Sequence, residues 1–556
     1  MVTAVAQPPH DEVPAGGHGP LHAHGKSPGQ RLIDLARLEW GDVFTLLAFA
    51  LGVGLLSLVA PAAIEALVNT VAFGILLWPV VVLSLIMLTL LLVSALLRAL
   101  QTYVAECLQR RLFVRTALGF ADRLSRTGIG SFDGANRADL VNRFFVVSSG
   151  QKSIATLLVE GVGILMITLV GLIVLAFYHP FLLTFAVVMA VLVVILVFVL
   201  GINGVRTSIS ESYAKFDVAA WLEEVARCPH TFRSGEGARL ALDRADQLSD
   251  TYITTRKRHF SVVWRQTVFA LLLEAVGSTV LLGLGGWLVI HRQLTLGQLV
   301  ASELIVTLVL VALSKIGKYV EIFYDLQATL DKLGVLDRLP PEPIGGEPLP
   351  DTGRPMEVVV ELTGGPSGTK RLELASGERV AIVGPIGKTP LLETLALLRL
   401  PSHGLLEYDG IDARQLDRPV TRRQIAFLGR PEVFAGTVTE NVRLGRDDVS
   451  AAAIRRAFDA VCLADRVARL PDGLDTALSP DGKPLSNNEL GRLAIARAIV
   501  GRPRLLLLDG SLDGLDLDAC PELLDTLFDP AAPWTLVLVT ARHDIRSRCG
   551  RIVRWS

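Results

Sequence analysis

The chain has 556 residues, of which 51% are hydrophobic, and its 54 Lys and Arg are matched by 55 Asp and Glu. That length predicts more than one domain, and the even charge gives no basis for a nucleic-acid partner. The five cysteines (Cys107, Cys228, Cys462, Cys520 and Cys549) show no CxxC spacing, so neither a metal site nor a disulfide framework is expected, only inert thiols.

Residues 1–29 are rich in Pro, Gly and His, with His10, His18, His22 and His24 irregularly spaced. No apolar core follows a basic start, which argues against a secretory signal and for a disordered tail. Gln30–Trp40 mixes Arg31, Asp34, Arg37 and Glu39 with Leu32, Ile33, Leu35, Leu38 and Trp40, the pattern of an amphipathic helix lying in a membrane interface. Six long apolar runs follow, at about 43–66, 77–100, 154–177, 181–202, 267–290 and 296–316. Each approaches the ~20 residues a bilayer span requires. Being apolar all round, they do not fit buried helices of a soluble protein.

Lys and Arg set the orientation. Arg98–Lys152 contains nine of them and Arg206–Arg265 ten, whereas Asn69–Trp78 and Tyr178–Pro180 contain none. The positive-inside rule therefore puts both long connections, and both ends of the bundle, in the cytoplasm. Leu100–Leu124, Ala214–Arg227 and Ala238–Arg258 are helix-patterned, so the spans should project well beyond the bilayer, with Gly128-Ile-Gly130 and Ser234–Gly237 as turns. Three carboxylates fall in or near spans: Glu65, Glu274 and Glu303. An intramembrane carboxylate is a candidate for a transport path, and Glu274, within Leu271-Leu-Leu-Glu-Ala, is the hardest to place otherwise.

Residues 30–338 thus read as one membrane domain, 339–355 as a Pro/Gly-rich linker and 356–556 as a soluble domain. There, short apolar runs alternate with helical stretches: 357–362, 379–383, 425–428, 504–509 and 535–540. That is an α/β pattern with a largely buried parallel sheet. After the second run come Gly384-Pro-Ile-Gly387-Lys388-Thr389 and a helix-like stretch from Pro390. A phosphate loop has four residues between its first glycine and its Gly-Lys pair. Here there are two, Pro385 and Ile386.

Further on stand Leu485–Ala498, Pro503–Asp509 and Leu515-Asp516, preceded by Phe434-Ala-Gly-Thr437 and Glu440-Asn441. In order and spacing these resemble the signature helix, Walker B strand and D-loop of ABC transporters. Six spans with two long cytoplasmic loops resemble the exporter-type membrane domain of that family, so the resemblance covers nearly all of the chain after the tail. It implies a six-span α-helical bundle plus an α/β nucleotide-binding domain, acting as a homodimer or as a heterodimer with a second half-transporter among membrane lipids. It also implies ATP and Mg as ligands, with Gly384, Gly387, Lys388, Thr389 and Asp509 toward nucleotide, Thr389 and Asp509 toward Mg, and Ser486, Asn487, Asn488 and Glu489 as the signature. The Asp133–Asn142 region and Trp221–Arg227 resemble the places where coupling helices occur.

The departures are chemical. Gly510 stands where the family has the glutamate that polarises water, and Ala541 where it has the switch histidine, with His543 two residues late. Gly429 or Arg430 replaces the glutamine of the Q-loop, and the first strand has no aromatic to stack adenine. The signature reads Leu485-Ser-Asn-Asn-Glu489, where the asparagines should crowd a γ-phosphate and Glu489 should add negative charge beside it. No catalytic residue is then intact. The expected function is export of a peptide, protein or lipid across a bacterial-type inner membrane with impaired ATP hydrolysis. The alternatives are a pseudo-ATPase subunit of a heterodimer, a non-transporting membrane scaffold or sensor, and transport driven by protons through Glu274.

Overall fold

The computed structural model describes residues 27–73, 77–132, 137–334, 341–342, 345–365, 368–401 and 403–555. The histidine-containing tail and positions 133–136 of the first coupling region lie outside them. The chain divides into two compact units, one running to Ser125 and again over Asn136–Pro340, the other comprising Arg126–Ala135 and Pro341–Ser556.

The first unit is helical. The elbow helix Pro28–Leu38 starts on a capping box, in which Ser27 and Gln30 exchange side-chain-to-backbone hydrogen bonds. Among the described residues, six helices are long and apolar enough to cross a membrane: span 1 (Trp40–Asn69), span 2 (Trp78–Arg126), span 3 (Ser149–Tyr178), span 4 (Pro180–Arg227), span 5 (Gly235–Ile290) and span 6 (Leu296–Leu333). The expected projections exist: spans 2, 4 and 5 run for 49, 48 and 56 residues, or roughly 70–85 Å at 1.5 Å per residue. Local chemistry sets their ends. Pro180 opens span 4 behind an extended His179, Ser234 caps span 5, and a Thr295–Gln298 capping box starts span 6. Two π-helical turns interrupt the regular winding, Leu157–Gly161 in span 3 and Ile195–Val199 in span 4. Trp221, at the end of span 4, is buried between the projections of spans 4 and 5, donating to the Ala241 carbonyl at 3.0 Å beneath the Arg244 guanidinium.

The second unit contains strands β1 (Val358–Gly365), β2 (Gly368–Leu374), β3 (Arg379–Val383), β4 (Gly404–Tyr408), β5 (Ile411–Asp412), β6 (Ile425–Leu428), β7 (Gly436–Thr437), β8 (Ala477–Leu478), β9 (Leu505–Asp509), β10 (Thr535–Val539) and β11 (Arg551–Arg554). Its helices are α1 (Lys388–Leu395), α2 (Arg418–Thr421), α3 (Val438–Arg443), α4 (Ala451–Ala460), α5 (Ala464–Ala468), α6 (Asn487–Ile499), α7 (Pro521–Phe528) and α8 (His543–Arg546). The core sheet has the order β11-β3-β10-β9-β6 with every pairing parallel. Helices cover one of its faces, and α1 with strands β1, β2 and β4 the other, so β9 is buried on both: Leu506 and Leu508 enter the first apolar cluster, Leu505 and Leu507 the second. The run at 357–362 differs from expectation, because β1 belongs to a separate antiparallel sheet, β2-β1-β4-β5.

One sequence expectation is corrected by the fold. Cys462 and Cys520 form a disulfide; a separation of 58 residues hid a proximity that only folding creates. Arg126–Ala135, counted with the membrane domain from sequence, groups with the second unit, where Glu342 donates its backbone N–H to the Arg126 carbonyl at 2.8 Å. The end of the 339–355 segment is anchored. Buried Arg504 holds the carbonyls of Pro350 and Arg354, the Gln424 amide oxygen and the Asp409 carboxylate, at 2.6–3.1 Å.

Candidate functional site

The segment Gly384-Pro-Ile-Gly387 sits between β3 and α1. Gly384 has φ +153°, and a Cβ built on it would lie 1.6 Å from the Trp555 carbonyl oxygen, so only glycine fits there. Gly387, at φ +83°, is the left-handed residue preceding α1, with the Trp555 indole 3.6 Å from its built Cβ. Trp555 also donates its backbone N–H to Val383 at 2.7 Å, which closes the C-terminal segment against the loop. Sequence reasoning missed this contact, and no local motif signals it. Between the glycines, Pro385 and Ile386 point outward, Ile386 being 78% exposed. Lys388 is half-buried at the start of α1, and the Thr389 hydroxyl donates to the Asp509 carboxylate at 2.6 Å. The structure therefore brings Thr389 and Asp509 together at the end of β9, as the motif requires.

Gly510 follows with φ +66° and open space where a Cβ would be. Three residues on, Asp513 accepts from the Thr540 hydroxyl and, at 3.0 Å, from the Ala541 backbone N–H. Where a switch histidine is expected, the backbone is thus fastened to an aspartate of the D-loop segment. His543 is exposed at the start of α8. Arg542 donates to Asp544 at 2.7 Å and to the Leu515 carbonyl at 3.2 Å; its hydrogen bond to Asp544 raises the Arg542 pKa and lowers that of Asp544.

The signature residues are arranged differently from the sequence expectation. Ser486 caps α6, accepting from the Glu489 N–H at 3.3 Å, while Glu489 accepts from the Ser486 N–H at 2.8 Å. Glu489 also receives Arg466 at 2.8 Å. Burial opposes its charge, but the Ser486 bonds and Arg466 outweigh it, so its pKa is lowered. Its charge is engaged in capping and in an ion pair, rather than free beside an anion. Asn487 and Asn488 occupy the first two helical positions, Asn487 exposed and Asn488 half-buried. Upstream, Asn441 is 1% exposed and bonds both the N–H and the carbonyl of Phe434, an architectural clamp for the loop after β6.

In the membrane unit, the Tyr178 hydroxyl donates to Glu65 at 2.6 Å. Glu303 has one carboxylate oxygen buried without a partner among the described residues, and Glu274 is half-buried. These carboxylates stand on spans 1, 6 and 5, and no hydrogen bond among the described residues joins them. Sequence reasoning passed over Glu160 in span 3, which accepts from the Tyr319 hydroxyl at 2.5 Å. Its position within an apolar run was the available signal.

The donor set fits a nucleotide in part. Thr389 and Asp509 would hold Mg, which would supply charge neutralisation, and Lys388 would meet phosphate. Two residues stand between Gly384 and Gly387, and Pro390 supplies no N–H to the first turn of α1.

Residues 369–512 match the family model described as ABC transporter. The multidrug transporter MDR2 of Trichophyton rubrum is 36% identical over 187 residues, 33% of this chain and 14% of that protein. The β-(1→2)glucan export protein NdvA of Mesorhizobium japonicum is 30% identical over 270 residues, 46% of each chain. The mycobactin import protein IrtB of Mycolicibacterium thermoresistibile is 25% identical over 355 residues, 62% of this chain and 61% of that one. The match thus spans less than two thirds of each of these relatives. The fold is also that of a bacterial Atm1-family ABC exporter solved with ATP bound, at a TM-score of 0.77 and 22% identity over 94% of both chains. Residues 369–512 thus carry the ABC transporter match within the α/β unit, and six spans followed by that unit make the fold of an ABC exporter.

Proposed function

We propose that this chain moves a substrate across a membrane as one half of a dimeric ABC transporter, binding ATP with Mg but hydrolysing it poorly. The observation that carries the reading is the end of β9. Asp509 retains its pairing with Thr389, while Gly510 offers no base to the attacking water. Asp513 does not replace that base, because both of its oxygens are committed to Thr540 and Ala541. A short phosphate loop and two asparagines in the signature weaken the remaining contacts to phosphate. Lys and Arg concentrated in the long connections support a cytoplasmic nucleotide-binding domain in a bacterial-type inner membrane. The substrate class is a peptide, protein or lipid.

The test uses the purified full chain in nanodiscs. Calorimetry with ATP and Mg should show binding, and phosphate release should remain at background. Turnover comparable to that of an intact exporter would sink the proposal. Loss of hydrolysis also favours a heterodimer in which an intact partner supplies the chemistry. Affinity-tagged chain from its host should then bring down a second half-transporter of different sequence; recovery of only its own copies points to a homodimer.

A further inference from the structure

The membrane unit contains a cavity of about 680 Å³ that the nucleotide chemistry does not use. Leu35 and Ala36 of the elbow helix, Leu108 and Leu112 of span 2, and Val320 of span 6 contribute to walls that are almost wholly apolar. Both π-helical turns open onto it, through Leu157 and Leu158 in span 3 and Val197 and Phe198 in span 4. Such turns are rare and concentrate at functional sites. The irregular backbone in span 4 is supported: Gln266, 1% exposed, donates to the Leu196 carbonyl at 3.1 Å and to the Tyr324 hydroxyl at 3.3 Å. Tyr324 and Tyr319 line the cavity, and Tyr319 is fixed by Glu160 at 2.5 Å.

Depth identifies the occupant. Along span 3, the lining runs from Leu165 to Ile154. These lie about 20 and 36 Å from Tyr178 at 1.5 Å per residue. Against a hydrocarbon core of about 30 Å, the cavity starts within the core and ends at the interface on the side of the long helical projections. The elbow helix lies at that interface, with Ile33 and Leu38 more than half exposed, as is Trp40 at the start of span 1. Phe198, at the opposite wall, is 71% exposed. The solvent at the opening is therefore lipid. If filled with water at ~30 Å³ per molecule, the space would hold some twenty waters with scarcely a hydrogen-bond partner in the walls. Glu39, at the interfacial end, is held by Arg111 at 2.9 Å and Arg115 at 2.7 Å, and Arg111 also reaches Asp42 at 3.0 Å. By count this cluster is neutral, so no charge is demanded of a headgroup.

We infer that this cavity binds an acyl chain of a membrane phospholipid, taken from the leaflet on the side of the long helical projections, with the headgroup at the Glu39–Arg111–Arg115 cluster. The experiment reconstitutes the full chain in nanodiscs containing phosphatidylcholine with a diazirine near the end of one acyl chain. After illumination, labelled peptides are mapped by mass spectrometry. Label should concentrate on Gly161–Leu165 and on Val197 and Phe198, at the deep end of the cavity, in excess of that on the exposed face around Leu92. Ala36→Trp and Val320→Trp, filling the cavity from opposite walls, should each lower that labelling at least fivefold; Leu158→Ala should keep it and Leu92→Trp should leave it unchanged. Two filling variants are used so that loss of one to misfolding, judged by elution volume, leaves the other informative. Labelling of the filled variants at the unmodified level would overturn the inference. So would an unlabelled cavity in the unmodified chain, the result expected if a second copy of the chain occupies it.

Discussion

Restoring the missing carboxylate by Gly510→Glu separates a single defect from a coordinated one. The position has room, with no atom within 4 Å of a built Cβ, but its φ of +66° is left-handed. A non-glycine residue there costs roughly 1–2 kcal/mol. For a domain of about 200 residues, that corresponds to a fall in Tm of about 2–8 °C. A correctly placed general base contributes about 10²–10⁴-fold in rate. If the base were the only deficit, phosphate release should rise at least a hundredfold. The loop between Gly384 and Gly387 still lacks two donors, and removing even one donor that stabilises developing charge costs about 10²–10³-fold. Groups that act as a unit do not restore activity singly. Phosphate release by the variant in nanodiscs, at saturating ATP and Mg, should therefore stay within about tenfold of the unmodified chain, with Lys388→Ala as the background. A rise of a hundredfold or more that Lys388→Ala abolishes would refute the reasoning, because it would show a phosphate cradle that works at its present length.

Arg504→Met should destabilise the nucleotide-binding domain by about 3–5 kcal/mol, since it leaves Asp409 and three other acceptors without their buried cation; thermal unfolding monitored on that domain measures it. Glu489 has a lowered pKa, so its contribution is complete above the ordinary carboxylate value of 4.5 and fades as pH falls below that value through the folded pKa. Glu489→Gln should accordingly flatten the decline in Tm on that acid side, and a profile parallel to the unmodified chain's would count against the capping role. Cys462→Ser should lower the stability of the oxidised protein by as much as about 4 kcal/mol, from the loop entropy of a 58-residue separation, and should make Tm insensitive to reductant.

Much of the architecture was legible because its causes are local. A residue in lipid must be apolar whatever its neighbours in space, so the six spans and their long projections could be read from contiguous runs. The core strands were legible for a similar reason: both faces of β3, β9 and β10 are buried, and each contains an unbroken run of four aliphatic residues. β2, β4, β5 and β11 were not anticipated, since edge and antiparallel strands expose one side and mix polar residues with apolar ones. Glu489 shows a reading that was available locally and taken otherwise: Ser486-Asn-Asn-Glu489 is a capping box, and its carboxylate answers to that cap before any ligand.

The sequence by itself determined the membrane half, the order of the nucleotide motifs and the replacements Gly510 and Ala541, because each depends on residue type within a short window. Only the tertiary structure decided that Cys462 meets Cys520, that Trp555 closes on the phosphate loop, that Asp513 fastens the segment at Ala541, and that two π turns face one cavity. These join residues separated along the chain, and their proximity follows from how the sheet orders its strands and how the spans pack. Neither is written in any single stretch of the chain.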